Sequence, residues 1–335
     1  MVRFILFNLS LIYRFIVFLR NTAYDFGILK VKSFDKPVIS IGNITTGGTG
    51  KTPMTIFVAD ELIKLGKTPG VVSRGYKRQS KGCVVVCDGN KICTDSSIGG
   101  DEPYLIASSL KIPVIVDENR SRGIEKIINE FAVDVVILDD AFQHRKAHRD
   151  LDIVLIDTTD EISQLKLLPL GKLREPLQNL KRADIVCYTK TDFPLNDRIY
   201  NKYLSNKAIK VNSNHHPILQ KHNENVNLEK GIFAFCGIAN PNSFIESCNN
   251  LEIIPDEFIP FSDHVIYTEK KIEYLNNKIL QSNCDIVMTT EKDLVKLPTI
   301  FINKHNLSIV KIKTKMSEEN RKTLISQIRN TIQNT

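Results

Sequence analysis

Apolar positions along this chain follow two regimes. Phe4 to Tyr13 is almost continuously apolar, Arg14 interrupts, and Phe15 to Leu19 resumes the run before Arg20. An apolar core broken by a charge, with no small-residue cleavage site after it, does not read as a secretory leader. It also falls short of the roughly 20 uncharged residues that a spanning helix wants. Arg3, Arg14, Arg20, Lys30 and Lys32 stand against a lone Asp25. The stretch 1–30 therefore reads as a basic helix lying on or dipping into an anionic membrane surface. The alternative is a helix buried against the protein's own core.

From Lys36 onward the pattern changes to short β-branched runs alternating with helix-like stretches. Strands are expected over Pro37–Ile41, Thr68–Ser73, Pro113–Val116, Asp134–Leu138, Asp152–Ile156 and Asp184–Tyr188. Helices are expected over Lys51–Leu65, Asp101–Leu110 and Ser121–Phe131. Such alternation predicts βαβ units and a mostly parallel sheet with helices on both faces, an α/β class. Val84 to Cys93, with Asp88-Gly89 at its centre, reads as a hairpin inserted at the sheet's edge. Asn196 to Glu229 is polar and reads as loops bridging to a second, smaller α/β lobe. Strands follow at Ile232–Phe235, Leu251–Pro260, Ile286–Thr289 and Leu307–Lys313, with helices at Glu269–Gln281 and from Ser317 to about Ile332. The expected division is 1–30, a membrane helix; 31–210, a nucleotide-binding core; and 211–335, a C-terminal lobe closing the cleft.

Composition adds little and excludes something. A chain of 335 residues, 42% apolar and 25% charged, can bury a sizeable core. Its net charge of +7 suits a phosphorylated substrate or an anionic membrane. No Arg-rich tract with interleaved aromatics and no zinc-knuckle spacing is present, which argues against nucleic acid as partner. The seven cysteines form no C-x-x-C pair and several lie in apolar runs, so buried reduced thiols in a reducing compartment are expected.

The chemistry starts where the first of these strands ends. Pro37–Ile41 runs into Gly42-Asn43-Ile44-Thr45-Thr46-Gly47-Gly48-Thr49-Gly50-Lys51-Thr52, followed by a helical pattern. Glycines let backbone N–H groups curl around an anion, the helix N-terminus adds its positive end, and Lys51 neutralises outer phosphates. Thr46 to Thr52 is thus the expected triphosphate cradle, with the Thr52 hydroxyl on Mg²⁺. Thr45 stands where the strict P-loop pattern has its first glycine. A metal-side carboxylate is expected at the tip of another apolar strand, and Val135-Val136-Ile137-Leu138-Asp139-Asp140 supplies it. Asp139 is the metal-side candidate, and Asp140 is a candidate for orienting water, metal or substrate. Gln143 and His144 follow at the strand's C-terminal end, where ligands of doubly wound sheets bind.

Asp101, before a helix, is either a first-turn acid or a base for an attacking hydroxyl. Arg120 and Arg174, in turns, are either solvated or phosphate clamps. His264, in Phe261-Ser262-Asp263-His264, is a loop histidine and a candidate only. Thr189-Lys190-Thr191-Asp192 is similar to the guanine-reading element of GTPases, so a regulatory or metal-insertion GTPase is the runner-up reading. An ATPase serving a membrane complex is a third.

Taken together, Gly42-Asn43, Thr46 to Thr52, Ser73-Arg74-Gly75-Tyr76, Gly100-Asp101-Glu102-Pro103, Asp139 to His144, Leu173-Arg174-Glu175-Pro176, Gly237 to Pro241, Asp263-His264 and Thr290-Glu291-Lys292-Asp293 closely resemble one family. It is the tetraacyldisaccharide 4'-kinases of lipid A biosynthesis, which also lack the first P-loop glycine. The resemblance covers essentially the whole chain, motif by motif in family order. It implies γ-phosphoryl transfer from ATP to the 4'-hydroxyl of a tetraacylated glucosamine disaccharide 1-phosphate, giving lipid IVA. It further implies Mg²⁺, the cytoplasmic face of the inner membrane and a Gram-negative-type envelope. By the same resemblance Asp101 and His264 assist deprotonation of the sugar hydroxyl, Lys51 and Thr52 serve the γ-phosphate and Mg²⁺, and Asp139 and Glu175 lie on the metal side. Arg120, Gln143, His144 and Arg174 become substrate or phosphate contacts. Ser262 and Val265 depart from the Pro and second His that the family often places around its Asp-His pair.

Overall fold

The computed structural model describes residues 1–192, 198–221 and 231–334. The chain opens with α1 (Val2–Asp25), then β1 (Val38–Asn43), α2 (Lys51–Lys64), β2 (Pro69–Ser73), β3 (Val84–Asp88), α3 (Ser96–Gly99), α4 (Asp101–Leu110), β4 (Pro113–Val116) and α5 (Arg120–Glu130). It continues through β5 (Val135–Asp139), β6 (Leu151–Asp157), β7 (Ile185–Thr189), α6 (Arg198–Asn201) and β8 (Ile209–Lys221). The remainder is β9 (Ile232–Cys236), α7 (Pro241–Asn249), β10 (Glu257–Pro260), α8 (Glu269–Ser282), β11 (Ile286–Thr290), α9 (Glu291–Leu294), α10 (Thr299–Lys304), β12 (Leu307–Lys315) and α11 (Glu318–Asn334).

The strands form one sheet in the order β10-β9-β11-β12-β8-β7-β6-β1-β5-β2-β4-β3. All pairings are parallel except β3 with β4 and β8 with β12. β1 lies between β5 and β6, so both its faces must be covered, and Val38–Asn43 is buried throughout. On one face, Ile39, Ile41, Ile137 and Ile153 pack with Met54, Val58 and Leu62 of α2, Ile106 of α4, and Leu324 and Ile328 of α11. On the other, Val38, Val136 and Leu138 pack with Ile124 and Ile127 of α5. The far end of the sheet repeats the scheme. Phe233, Val287 and Ile309 face Leu275 and Ile279 of α8, while Ala234, Ile286 and Met288 face Phe244 and Cys248 of α7. The last helix therefore crosses back to the first core, where Arg321 also pairs with Glu61 of α2.

The strands expected between 37 and 188 all form, displaced by no more than two residues. Three expectations fail. Residues 209–221, read as part of a bridging loop, are the longest strand, β8. Its first half pairs with β7 and its second half with β12, so the presumed linker is where the sheet is continuous. Pro217 falls in the half with a single neighbour, where a missing N–H is tolerated. Asn223, Asn225 and the rest of 222–230 lie outside the described residues. The strand read over Leu251–Pro260 is confined to Glu257–Pro260. The edge hairpin has one true arm, β3, which pairs with β4, while its return is a single bridge from Cys87 to Ile92.

Helix α1 leaves most of its apolar surface uncovered: Phe4, Phe7, Ile12, Phe15, Ile16 and Phe18 are all exposed. It is the one helix among the described residues that is long and apolar enough to cross a membrane. One stripe does dock, so the alternative of a helix buried against the protein's own core holds for that stripe alone, and the exposed face is compatible with membrane association. Ser10 Oγ donates to Leu167 O at 3.1 Å, Tyr13 Oη to Arg174 O at 2.7 Å, and Arg20 pairs with Glu175.

Candidate active site

β1 delivers the chain into the glycine-rich turn at the carboxyl edge of the sheet. Gly42 is required there, because a Cβ would lie 2.7 Å from the backbone N of Phe142, in the turn that follows β5. The turn is held open from within and without. Asn43 Nδ2 donates to Thr49 Oγ1 at 2.9 Å, and Thr46 N donates to Lys172 O at 2.8 Å. Thr45, in place of the first P-loop glycine, is buried and donates to Asp160 at 3.2 Å, so it braces the loop from the side. Gly50 takes φ of 87° and caps α2, which places Lys51 and Thr52 in the first helical turn with both side chains buried. Gly47, Gly48 and Thr49 form the intervening curl.

Opposite this curl stands the tip of β5. Asp139 is buried and accepts from Thr55 Oγ1 at 3.2 Å and Ser73 Oγ at 3.1 Å. Burial, aided by the neighbouring Glu102 and Asp140 carboxylates, pushes its pKa up to about 6. A carboxylate held short of counter-charge in this way is suited to a divalent cation. Asp140 turns off the strand with φ of 49°, a left-handed conformation that Asp accepts more readily than most residues. It accepts from Arg174 at 2.7 and 3.0 Å, and Lys51 Nζ lies 3.8 Å away.

Two further groups stand close by: Arg120 faces Asp139 and Asp140, and His144 lies beside Arg120. Arg120 is buried and its Nε has no hydrogen-bond partner among the described residues. Burial and nearby Arg74 lower its pKa to about 10, with Asp140 and Asp139 opposing. His144 Nε2 is likewise unpartnered, and burial with the cations Arg120 and Arg149 lowers its pKa to about 4, so the ring is neutral. Buried polar atoms left unpaired call for a partner, and the Arg120 guanidinium suits an anion.

The remaining residues arrive from the far end of the sheet. His264, with φ of 57°, places Nδ1 at 3.1 Å from Asp101 Oδ2 in the first turn of α4, and Tyr76 packs edge-on to its ring at 5.5 Å. Val265, where the family pattern has a second His, is buried against the end of β9, beside Gly237.

Two expected contacts are spent elsewhere. Glu175, expected on the metal side, is fully buried and accepts from Arg20, Arg182 and Asn179. Its charge is met by Arg182 nearby in the chain and by Arg20 of α1, which no local pattern announces, and it anchors that helix instead. The Gln143 amide is also committed: its Nε2 donates to Asn43 O at 2.8 Å, tying the β5 turn to β1. In the guanine-reading candidate, Lys190 pairs with Asp157 at 2.6 Å, and Asp192 accepts from Asn214 of β8 at 2.6 Å. That element fastens β7 to β8.

The family model of tetraacyldisaccharide-1-P 4'-kinase, LpxK, matches residues 2–333. The chain belongs to this family. A tetraacyldisaccharide 4'-kinase of Halothermothrix orenii is 36% identical over 92% of this chain and 87% of its own length. One from Aquifex aeolicus is 36% identical over 98% and 99% respectively. A crystal structure of LpxK from Aquifex aeolicus, described as an "apo" form in complex with ATP, superposes with a TM-score of 0.80 at 32% identity, covering 99% of this chain and all of that one.

Within the family's motifs, reasoning from sequence passed over two residues. Glu102 lies beside Asp101, and Lys292 sits in Thr290-Glu291-Lys292-Asp293. They meet at 2.6 Å across the cleft. Both were visible as motif members, but nothing in either stretch names the other as partner. His215 of β8, packed over Gly50, was also missed. Burial and Lys190 lower its pKa to about 4.

Proposed function

We propose that this chain transfers the γ-phosphoryl group of ATP to the 4'-hydroxyl of a tetraacyldisaccharide 1-phosphate, giving lipid IVA in lipid A biosynthesis. The observation that carries the reading is the meeting of two parts at one edge of the sheet. One is a lysine-bearing phosphate loop facing buried carboxylates, and the other is an Asp101–His264 pair at 3.1 Å. Phosphoryl transfer needs positioning and charge neutralisation more than covalent chemistry.

In this reading the turn from Thr46 to Gly50 cradles the phosphates and Lys51 neutralises the group in transfer. Thr52 and Asp139 would hold Mg²⁺, which when bound would further neutralise phosphate charge. Asp101 accepts the proton of the sugar hydroxyl as its oxygen bonds to phosphorus and the bond to the ADP oxygen breaks. His264 holds that carboxylate in place. Arg120, His144 and Arg174 grip anionic groups of substrate or nucleotide, the first two through their unpartnered buried nitrogens. The exposed apolar face of α1 inserts shallowly into the cytoplasmic leaflet of the inner membrane, with Arg3 and Arg14 at lipid phosphates. A substrate with four acyl chains leaves a bilayer only at about 0.8 kcal/mol per exposed CH₂, so the enzyme works on the head group in place. The two ends of the sheet act as core and closing lobe.

The test is transfer of label from γ-labelled ATP to a lipid-soluble product with tetraacyldisaccharide 1-phosphate as acceptor. Labelled lipid is the expected result. Hydrolysis with no lipid labelled, or strong preference for GTP, would overturn the reading.

A further inference from the structure

Helix α4 begins with two adjacent acidic residues, and each meets a partner from the far end of the sheet. His264 Nδ1 lies 3.1 Å from Asp101 Oδ2, and Lys292 Nζ donates to Glu102 Oε1 at 2.6 Å. Close by, Ser96 Oγ of α3 donates to Val295 O at 2.8 Å. The two partners belong to one frame. Asp293, fully buried, accepts from Gly237 N at 2.9 Å, Tyr267 Oη at 3.0 Å and Thr290 Oγ1 at 2.7 Å, and pairs with Lys296 at 3.0 Å. Tyr267 closes the loop that carries His264, and Asp293 is the next residue after Lys292. One carboxylate thus ties the histidine loop, the lysine turn and the end of β9 together, so His264 and Lys292 move as a unit.

We propose that Lys292 is a positioning residue whose ion pair with Glu102 docks this frame in the register that brings His264 onto Asp101. This rests on the kinase reading above. The bond from Ser96 to Val295 O tethers the frame through a different helix, whereas the ion pair on the residue next to Asp101 fixes how the frame meets α4 itself. The Glu102 partner is charged at neutral pH: burial alone would raise its pKa, but Lys292, assisted by Lys51 and His264, holds it down at about 2. Lys292 itself is held above its ordinary value, since Glu102 outweighs burial. The geometric return exceeds the strength of the pair itself, because an error of about 1 Å in placing a reacting group can cost roughly 100-fold in rate.

The experiment uses full-length protein in mixed micelles with tetraacyldisaccharide 1-phosphate and ATP. Lys292→Met and Glu102→Gln are each expected to lower kcat roughly 10- to 100-fold, with KM for ATP unchanged within about twofold. Lys292→Arg keeps most of the rate, because it restores the cation. In a His264→Ala background, Lys292→Met lowers kcat by no more than about twofold further, since the pair acts through the histidine. Full kcat in Lys292→Met, a raised KM for ATP, or a full multiplicative loss on top of His264→Ala would each overturn the proposal. Should Lys292→Met melt early, Glu102→Gln and Lys292→Arg decide on the same criteria. A wild-type protein that labels no lipid would instead sink the kinase reading, and this inference with it.

Discussion

The two ends of the sheet are built alike and used differently. Around β1, the carboxyl edge leaves charge without an ion-pair partner: buried Asp139 is met by two hydroxyls and buried Arg120 has an unpartnered Nε among the described residues, while Asp140 pairs with Arg174. Around β11, the charge is consumed internally, with Asp293 satisfied by four neighbours. What that end offers the cleft is Lys292 and His264, both already reaching across to α4. On the proposed function the first end receives the nucleotide phosphates and the second carries the acid–base partner, so nucleotide binding and acceptor activation should be separable by mutation.

The largest expected effect comes from the receptor end. Lys51→Ala removes the cation facing the phosphates, and transfer is expected to fall at least about 1000-fold. Because Lys51 is not part of any buried core cluster, the melting temperature should hold. Loss of folding along with activity would show that the two ends differ less than described. At the carrier end, Asp293→Ala strands a buried backbone N–H, a tyrosine hydroxyl and Lys296. It should cost roughly 3–5 kcal/mol, read as an early transition in chemical denaturation. ATP binding, measured below that transition by calorimetry, should persist.

A smaller effect concerns pH. His144 and His215 are held neutral, at about 4, below their ordinary value of 6.5. The unfolded chain binds more protons there than the folded one, so stability falls as pH drops from 6.5 towards 4. Asp139, raised from 3.8 to about 6, acts in the opposite sense from about pH 6 downward through the rest of that window and offsets part of the loss. Replacing His144 with Gln should flatten the fall. An unchanged slope between pH 6.5 and 4.5 would mean that His144 is not held neutral by burial and its cationic neighbours.

The same contrast decides how much could be read from sequence. Local signals placed the receptor end well: a β-branched run, three glycines and Lys-Thr define the loop, and an apolar run ending in Asp139 defines its facing strand. Those patterns express adjacency along the chain. Glu175 misled because its environment is set by Arg20, on a helix 155 positions earlier. β8 was hidden because Asn212, Asn214, His215 and Pro217 carry no strand pattern, and its extension is imposed by β7 on one side and β12 on the other. His264 was identifiable only through family motifs, since a loop histidine acquires meaning from Asp101, 163 positions away. Glu102 and Lys292, 190 positions apart, are of the same kind.

The most direct test of this division is to measure ATP affinity and phosphate transfer together in His264→Ala. The account predicts an ATP dissociation constant within about twofold of wild type, with transfer to tetraacyldisaccharide 1-phosphate lowered about 100-fold or more. Transfer at the wild-type rate, or ATP binding lost in step with transfer, would contradict it.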